Sequence, residues 1–346
     1  MDNAIASKPN AIKNFIPSWF ASVMGTGILA LTSLFYSQYF SFLKYISKFL
    51  TYFNTGLFFV LLIPWILRWI LYKKEAISDL KNPIIGNFYP TIAVALLILS
   101  ANYLFIFKNI LLAKIFWFAG VIVTIYFALL IPYLTFANER VELHHINPGW
   151  FIPPVALIVI PIPGGALIPH FTGLLKEIVI FINYFSFGSG FFLYLALFAI
   201  TFYRFILHKP LPDVLAPTVW INLGPIGAGT SALISITKSC TLLTSKSSLF
   251  FFSSILWGFG IWWVLMSIIL TLHYIKNVKF PYTMSWWALT FPLGAYTAAT
   301  HNVYLIFGNK FIDYIGLLLF FLLIFFWTIT FIKTFKRVLN GTLFIK

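Results

Sequence analysis

The sequence predicts an all-α integral membrane protein: ten transmembrane helices arranged as five quasi-repeated helical hairpins, odd-numbered helices lining a central pore and even-numbered helices outside. Three observations carry this expectation. The 346 residues are 61% hydrophobic and only 9% charged, with a mean hydropathy of +0.94, whereas a soluble domain is about 25% charged. Apolar runs long enough to cross a core of about 30 Å, at about 1.5 Å per residue, recur from end to end. A proline followed by an aromatic residue opens every second run, five times over, which is an internal repeat.

Taken in order, the spans are 15–36, 50–72, 83–107, 112–136, 148–169, 178–207, 214–239, 247–275, 281–305 and 311–335. Their connections are short, so residues 1–346 read as a single polytopic membrane domain. The odd spans begin at or near Pro17, Pro83, Pro148, Pro217 and Pro281, 64 to 69 residues apart. Trp19, Phe88, Trp150, Trp220 and Trp286 follow within five residues. Proline suits the first turn of a helix and tryptophan suits the headgroup level. Of the 38 Gly and Pro residues, 23 fall in the odd spans and 9 in the even ones. Irregular backbone is tolerated at membrane depth only where protein or a water-filled cavity surrounds it, so the odd spans belong inside. Their breaks, at Gly25 and Gly27, Pro90, Pro153 and Pro154, Gly224 and Pro225, and Phe291 and Pro292, lie at similar depth and describe a narrowed pore.

The formal net charge is +15. In a soluble protein that would suggest nucleic acid. Here the Lys and Arg residues lie between apolar runs, where they meet anionic lipid and orient helices, so the bilayer is the expected partner and nucleic acid is not. Both termini and the even-to-odd loops hold 15 of them and the opposite loops 8, which places both termini in the cytoplasm. The first span follows Lys8 and Lys13 without a small-residue cleavage site and reads as retained. One cysteine, Cys240, excludes an internal disulfide.

The chain is organised around Ser285 to Thr300, SWWALTFPLGAYTAAT. Pro292 has no N–H for the carbonyl of Ala288, so a bend is expected there. Phe291, Ala295, Ala298 and Asn302 share one helical face, and Gly294 adds to the small residues beside the ring. Small residues in a membrane helix also read as close helix packing; the sharper reading is a pore wall with one aromatic plug. The further wall candidates are Ser22, Gly25, Thr26 and Gly27 in span one, Pro90 and Thr91 in span three, Pro153 and Pro154 in span five, and Gly224, Pro225, Gly227 and Ser231 in span seven. The glycines of span seven lack a preceding strand and a Gly-Lys-Ser/Thr ending, which excludes a P-loop.

No Asp or Glu lies within the core of a span. Arg68, Arg204 and Lys238 lie deepest among the cations and can snorkel. A lining of Ser, Thr, Asn, Gly and rings beneath helix N-termini favours an anion as passenger. His301, one turn beyond the small face of span nine, is a candidate pH-sensitive group. No nucleophile, histidine and acid share one depth, so no catalytic residue, metal site or cofactor is assigned. A membrane-embedded enzyme using His144 and His145 is the remote alternative, and a proton-coupled carrier of malate or sulfite the nearer one.

PSWFASVMGTGILA in span one, NPGWFIPPVALIV in span five, WINLGPIGAGTSAL in span seven and SWWALTFPLGAY in span nine together resemble the tellurite-resistance and dicarboxylate transporter family, with the bacterial TehA proteins, the yeast malate permease and sulfite pump, and the plant slow-type anion channels. The likeness covers nearly the whole chain. It implies ten helices as five hairpins around a central pore in each subunit of a homotrimer, at the cell membrane. It implies passage of small anions such as nitrate, chloride, sulfite or malate, with no cofactor. By motif match it makes Phe291 the gate. The chain lacks the long phosphorylated tails of the plant members, which puts kinase gating in doubt.

Overall fold

The computed structural model describes residues 10–137, 141–239 and 246–344; Asp2, Lys8, Glu139 and Cys240 lie outside them. The helices are α1 (Phe20–Phe35), α2 (Leu43–Leu71), α3 (Lys73–Lys81), α4 (Thr91–Phe105), α5 (Ile110–Phe136), α6 (Ile152–Val159), α7 (Pro161–Leu167), α8 (Gly173–Leu207), α9 (Leu223–Ser239), α10 (Lys246–Asn277), α11 (Phe291–Phe307) and α12 (Lys310–Leu339). Among the described residues there is no strand. The protein is a multi-pass helical membrane protein.

Burial separates two rings. In the most apolar stretch of each span, 83–94% of residues are buried for α1, α4, α6/α7 and α9, against 22–44% for α2, α5, α8, α10 and α12. α1 packs on α4, α4 on α6 and α7, these on α9, α9 on α11, and α11 back on α1, which closes an inner ring of five. The even helices lie outside it and expose large apolar side chains such as Phe49, Ile122, Phe192, Leu265 and Phe325.

Every inner helix starts the same way. A 3₁₀ segment precedes the α-helix: Pro17–Trp19, Gly86–Phe88, Pro148–Phe151, Asp213–Asn222 and Met284–Leu289. A 3₁₀ turn leaves a carbonyl partnered at i+3, and hydroxyls reinforce this at the junctions. Ser22, Thr91, Thr218 and Thr290 each donate to the carbonyl three residues back, that of Trp19, Phe88, Leu215 and Trp287, at 2.6–2.7 Å. Thr91 also reaches the carbonyl of Pro17, at 2.9 Å, tying two junctions together.

The expected bend at Pro292 takes a different form. Pro292 is the second residue of α11, where its missing N–H belongs to a group left unpaired by any helix start. The break lies at Thr290, between the 3₁₀ segment and α11. The ninth span is therefore two pieces, and among the described residues nine continuous helical stretches are long and apolar enough to cross a membrane. The ninth span tolerates its break because α1, α9 and α12 surround it.

The hairpin repeat also shows in its turns. Lys108 (φ 53°) and Gly308 (φ 66°) hold the left-handed conformation that ends one helix, and Asn109 and Asn309 then cap the next. Their side chains accept from the N–H of Leu112 at 3.1 Å and of Phe311 at 2.9 Å.

Two arginines correct the snorkelling expectation. Arg68 and Arg204 are buried, at 0% and 1% exposure. The Arg68 guanidinium pairs with Asp79 of α3 and donates to the carbonyl of Lys13 at 3.0 Å. α3 thus folds back under α2 and brings the counter-ion with it, an arrangement the spans alone did not suggest.

Candidate functional site

Two cavities lie along the axis of the inner ring. The smaller, of about 40 Å³, opens among the starts of the inner helices and is walled by Ser18, Thr91, Val155, Gly224, Trp287 and Pro292, among others. The larger, of about 210 Å³, lies among their second halves. Ile28, Ile98, Val159, Ala228, Ala295 and Ala298 contribute to its apolar wall, and Ser231, Ser235 and Asn302 its polar groups. Among the described residues, Phe291 is the one that lines both. Its ring is 4% exposed and occupies the first position of α11, immediately after the break.

The lining is neutral. Asn302 donates to Ser231 at 3.3 Å, and Ser235 donates to the carbonyl of Ile162 at 2.8 Å. In the smaller cavity the hydroxyls of Thr91 and Ser285 are engaged by backbone carbonyls of Pro17 and Val214. Among the described residues the one charged side chain on either wall is Lys238, at the end of α9, exposed at the far mouth of the larger cavity. No carboxylate among the described residues lines either cavity. Among the described residues these walls carry no fixed negative charge that would hold a cation, and they present one cation at the mouth of the larger cavity.

The sequence candidates divide into two groups. Phe291, Pro292, Thr91, Gly224, Ser231, Ala295, Ala298 and Asn302 line a cavity. Ser22, Gly25, Thr26, Gly27, Pro90, Pro153, Pro154, Pro225, Gly227 and Gly294 line neither. Five of these, Gly25, Thr26, Gly27, Gly227 and Gly294, serve contact between helices. A Cβ on Gly25 would meet Thr290 of the break at 2.2 Å, one on Gly27 would meet Ile98 at 2.4 Å, and one on Gly294 would meet Ile28 at 2.5 Å. Thr26 faces outward and accepts from Trp327 of α12 at 3.0 Å. Pro90 caps α4, and Pro153, Pro154 and Pro225 occupy first turns of α6 and α9. His301 also lines neither cavity. It is buried between Phe35, Tyr36, Tyr304 and Asp313.

Sequence reasoning missed Ser235 and Lys238. They lie four and seven residues after Ser231, on the same face of α9, so extending that stripe finds them. It also missed the apolar wall, because Ile28, Ile98 and Val159 carry no mark that separates a wall from a core.

Glycine contacts give a paired prediction. A Cβ on Gly227 would sit 2.5 Å from the backbone nitrogen of Tyr296, whereas one on Gly224 meets nothing nearer than 3.8 Å. Gly227→Ala is expected to lose about 1–3 kcal/mol by forcing α9 from α11, and Gly224→Ala to stay within about 0.5 kcal/mol. Melting curves of the two purified variants read the difference; equal midpoints would contradict it.

His144 and His145 are occupied in their loop. Their rings lie 3.9 Å apart, His144 pairs with Glu142 at 3.1 Å, and His145 accepts from the N–H of Glu142 at 3.0 Å. Burial, with the neighbouring His144, pushes the His145 imidazole below its ordinary range. Among the described residues no three His, Cys, Asp or Glu side chains are grouped to hold a metal.

Residues 14–335 match the family described as SLAC1, voltage-dependent anion channel. An uncharacterised transporter of Methanocaldococcus jannaschii is 56% identical over 333 residues, 96% of this chain and 97% of that protein. A sulfite efflux pump of Arthroderma benhamiae is 26% identical, covering 88% of this chain and 86% of the pump. A malic acid transport protein of Schizosaccharomyces pombe is 25% identical, covering 81% and 68%. These relatives are named for transport and none for catalysis. A family match that runs from the first inner helix to the last outer one, over a fold of five nested hairpins, places the chain in the SLAC1 voltage-dependent anion channel family.

Proposed function

We propose that the chain passes small anions along the axis of its inner ring and that the benzyl ring of Phe291 is the gate. The observation that carries this reading is the position of Phe291, alone on both walls, between a cavity of about 40 Å³ and one of about 210 Å³. A ring in an apolar neck blocks by bulk and by excluding water. The break at Thr290 gives that ring a backbone joint beside it. Lys238 draws anions to the far mouth, and the neutral wall beyond it holds them weakly enough to leave.

The passengers we assign are monovalent or small divalent anions of the nitrate, chloride, sulfite or malate type. The relatives named for sulfite and malic acid support that class. We place the protein in the cell membrane with both termini cytoplasmic, as the distribution of Lys and Arg supports, and as a homotrimer with one conduit per subunit. The test is anion substitution on purified protein in planar bilayers. The reversal potential is expected to follow a chloride or nitrate gradient and to ignore a potassium gradient. A reversal potential that tracks potassium overturns the proposal. Counterflow of labelled sulfite or malate without current would move it from channel to carrier.

A further inference from the structure

Away from the conduit wall, three buried polar atoms from three elements converge without a hydrogen-bond partner among the described residues: the hydroxyl of Tyr36, Nδ1 of His301 and Oδ1 of Asp313. Nδ1 and Oδ1 stand 3.7 Å apart, too far for a direct hydrogen bond and close enough for ionic attraction. The Tyr36 ring meets the His301 ring edge-on at 5.5 Å, and its hydroxyl abuts Gly316, one turn beyond Asp313 on α12. An orphaned buried polar atom is costly, and three together mark a place where something is bound.

We propose that this cluster is a proton-binding site, in which one proton carried by His301 neutralises Asp313 and thereby governs anion passage through the larger cavity. The proposal rests on the reading of that cavity as an anion conduit.

Asp313 sits where a negative charge is favoured. It lies in the first turn of α12, whose dipole favours an anion. Its Oδ2 accepts from Gln38 at 3.1 Å and from the hydroxyl of Tyr39 at 2.5 Å. That hydrogen bond pushes the Tyr39 phenol well above its ordinary range, as a neighbouring carboxylate does. His301 is the group left to take the proton. The charged groups acting on it are Asp313 from α12 and Lys238 from α9. The other titratable side chains around the site are Tyr36 and Tyr39 from the segment after α1, Tyr304 on α11, and Tyr314 beside Tyr39. With His301 neutral, the pair carries one negative charge in a setting of low dielectric; with His301 protonated, it carries none.

The site touches the conduit through two wall residues. Phe35 lines the larger cavity and stacks on His301 at 5.0 Å. Asn302, the next residue along, lines it from the other side and donates to Ser231. A buried negative charge behind that wall repels a passing anion, so passage rises as the solution at the Lys238 mouth becomes acidic. Buried carboxylate and histidine in a membrane protein commonly mark such proton sites.

The test uses chloride currents of the full chain carrying Phe291→Ala, with pH varied on one side at a time. Between about pH 8 and pH 5, the range where histidine changes charge, the current is expected to rise about tenfold, the effect of one charge roughly 10 Å away at an effective dielectric near 20. The rise should follow the pH at the Lys238 mouth. Asp313→Asn should lift the alkaline current to near the acidic level. His301→Gln should hold it at the alkaline level throughout. Those opposite outcomes separate a charge effect from a packing effect. A pH response unchanged in His301→Gln overturns the proton site and leaves the conduit reading standing. A parent current flat across that pH range does the same even where a variant fails to fold. No anion current at any pH overturns both readings.

Discussion

Replacing Phe291 with alanine is expected to raise anion current at least about tenfold, which corresponds to removing about 1.4 kcal/mol from the barrier. Among the described residues Phe291 alone lines both axial cavities. Alanine in its place joins them, because the residues one and two turns on along the same face, Ala295 and Ala298, are already small. A continuous passage admits water, and a wetted neck conducts where a dry one does not. The usual loss for a buried Phe→Ala is about 3–5 kcal/mol, but Phe291 already borders open space on both sides, so the fold should lose toward the lower end. Single-channel records in bilayers give the conductance, and melting of the purified variant gives the stability. A conductance equal to that of the parent would remove Phe291 from the gate. Refilling the smaller cavity with Gly224→Leu in the same background should reduce the current again, since Gly224 faces that cavity with room to spare.

The second large effect concerns folding. Asp79→Ala should destabilise the protein by about 3–5 kcal/mol, because it strands Arg68 as an uncompensated charge. Both side chains are buried, at 0% and 5% exposure. A loss of that size approaches the whole stability of a marginal domain, about 5–15 kcal/mol, so the single variant should accumulate poorly in the membrane. Arg68→Met combined with Asp79→Leu should recover part of the loss, since neither charge then remains buried. Expression level and melting midpoint in detergent check both statements. An Asp79→Ala protein that melts with the parent would show that the pair carries no such weight. The same region docks α3 onto the inner ring, where the Tyr89 hydroxyl donates to the carbonyl of Ala76 at 2.7 Å. The ion pair therefore holds together the first hairpin and the start of the second.

Much of this architecture was legible before any coordinates. Proline at near-constant steps and the crowding of Gly into alternate spans report directly on which helices need protein around them, and burial follows that division. The role of each glycine was not legible. Gly224 and Gly227 are three residues apart on one helix, yet one borders a cavity and the other lies against the backbone of α11. That difference depends on the rotation of α9 about its axis, which helical spacing leaves undetermined when every face of a helix is buried. Pro292 was misplaced by half a turn for a related reason. A proline inside a long apolar run reads as a kink in one helix, and only the 3₁₀ segment before it shows that a second helix starts there. His301 read as a group beside the passage because it follows Ala298; its neighbour Asn302 lines the cavity, and His301 turns toward Asp313.

Alternation of buried and lipid-facing helices has a consequence for how such a chain can change. The demands of lipid contact fall on α2, α5, α8, α10 and α12, and those of the cavity walls on α1, α4, α6, α7, α9 and α11. The two sets of demands fall on separate stretches of the gene. Outer helices can therefore drift with membrane thickness or growth temperature while the conduit keeps its dimensions. Exchanging whole outer helices between relatives from different habitats becomes a practical route to retune one property and spare the other.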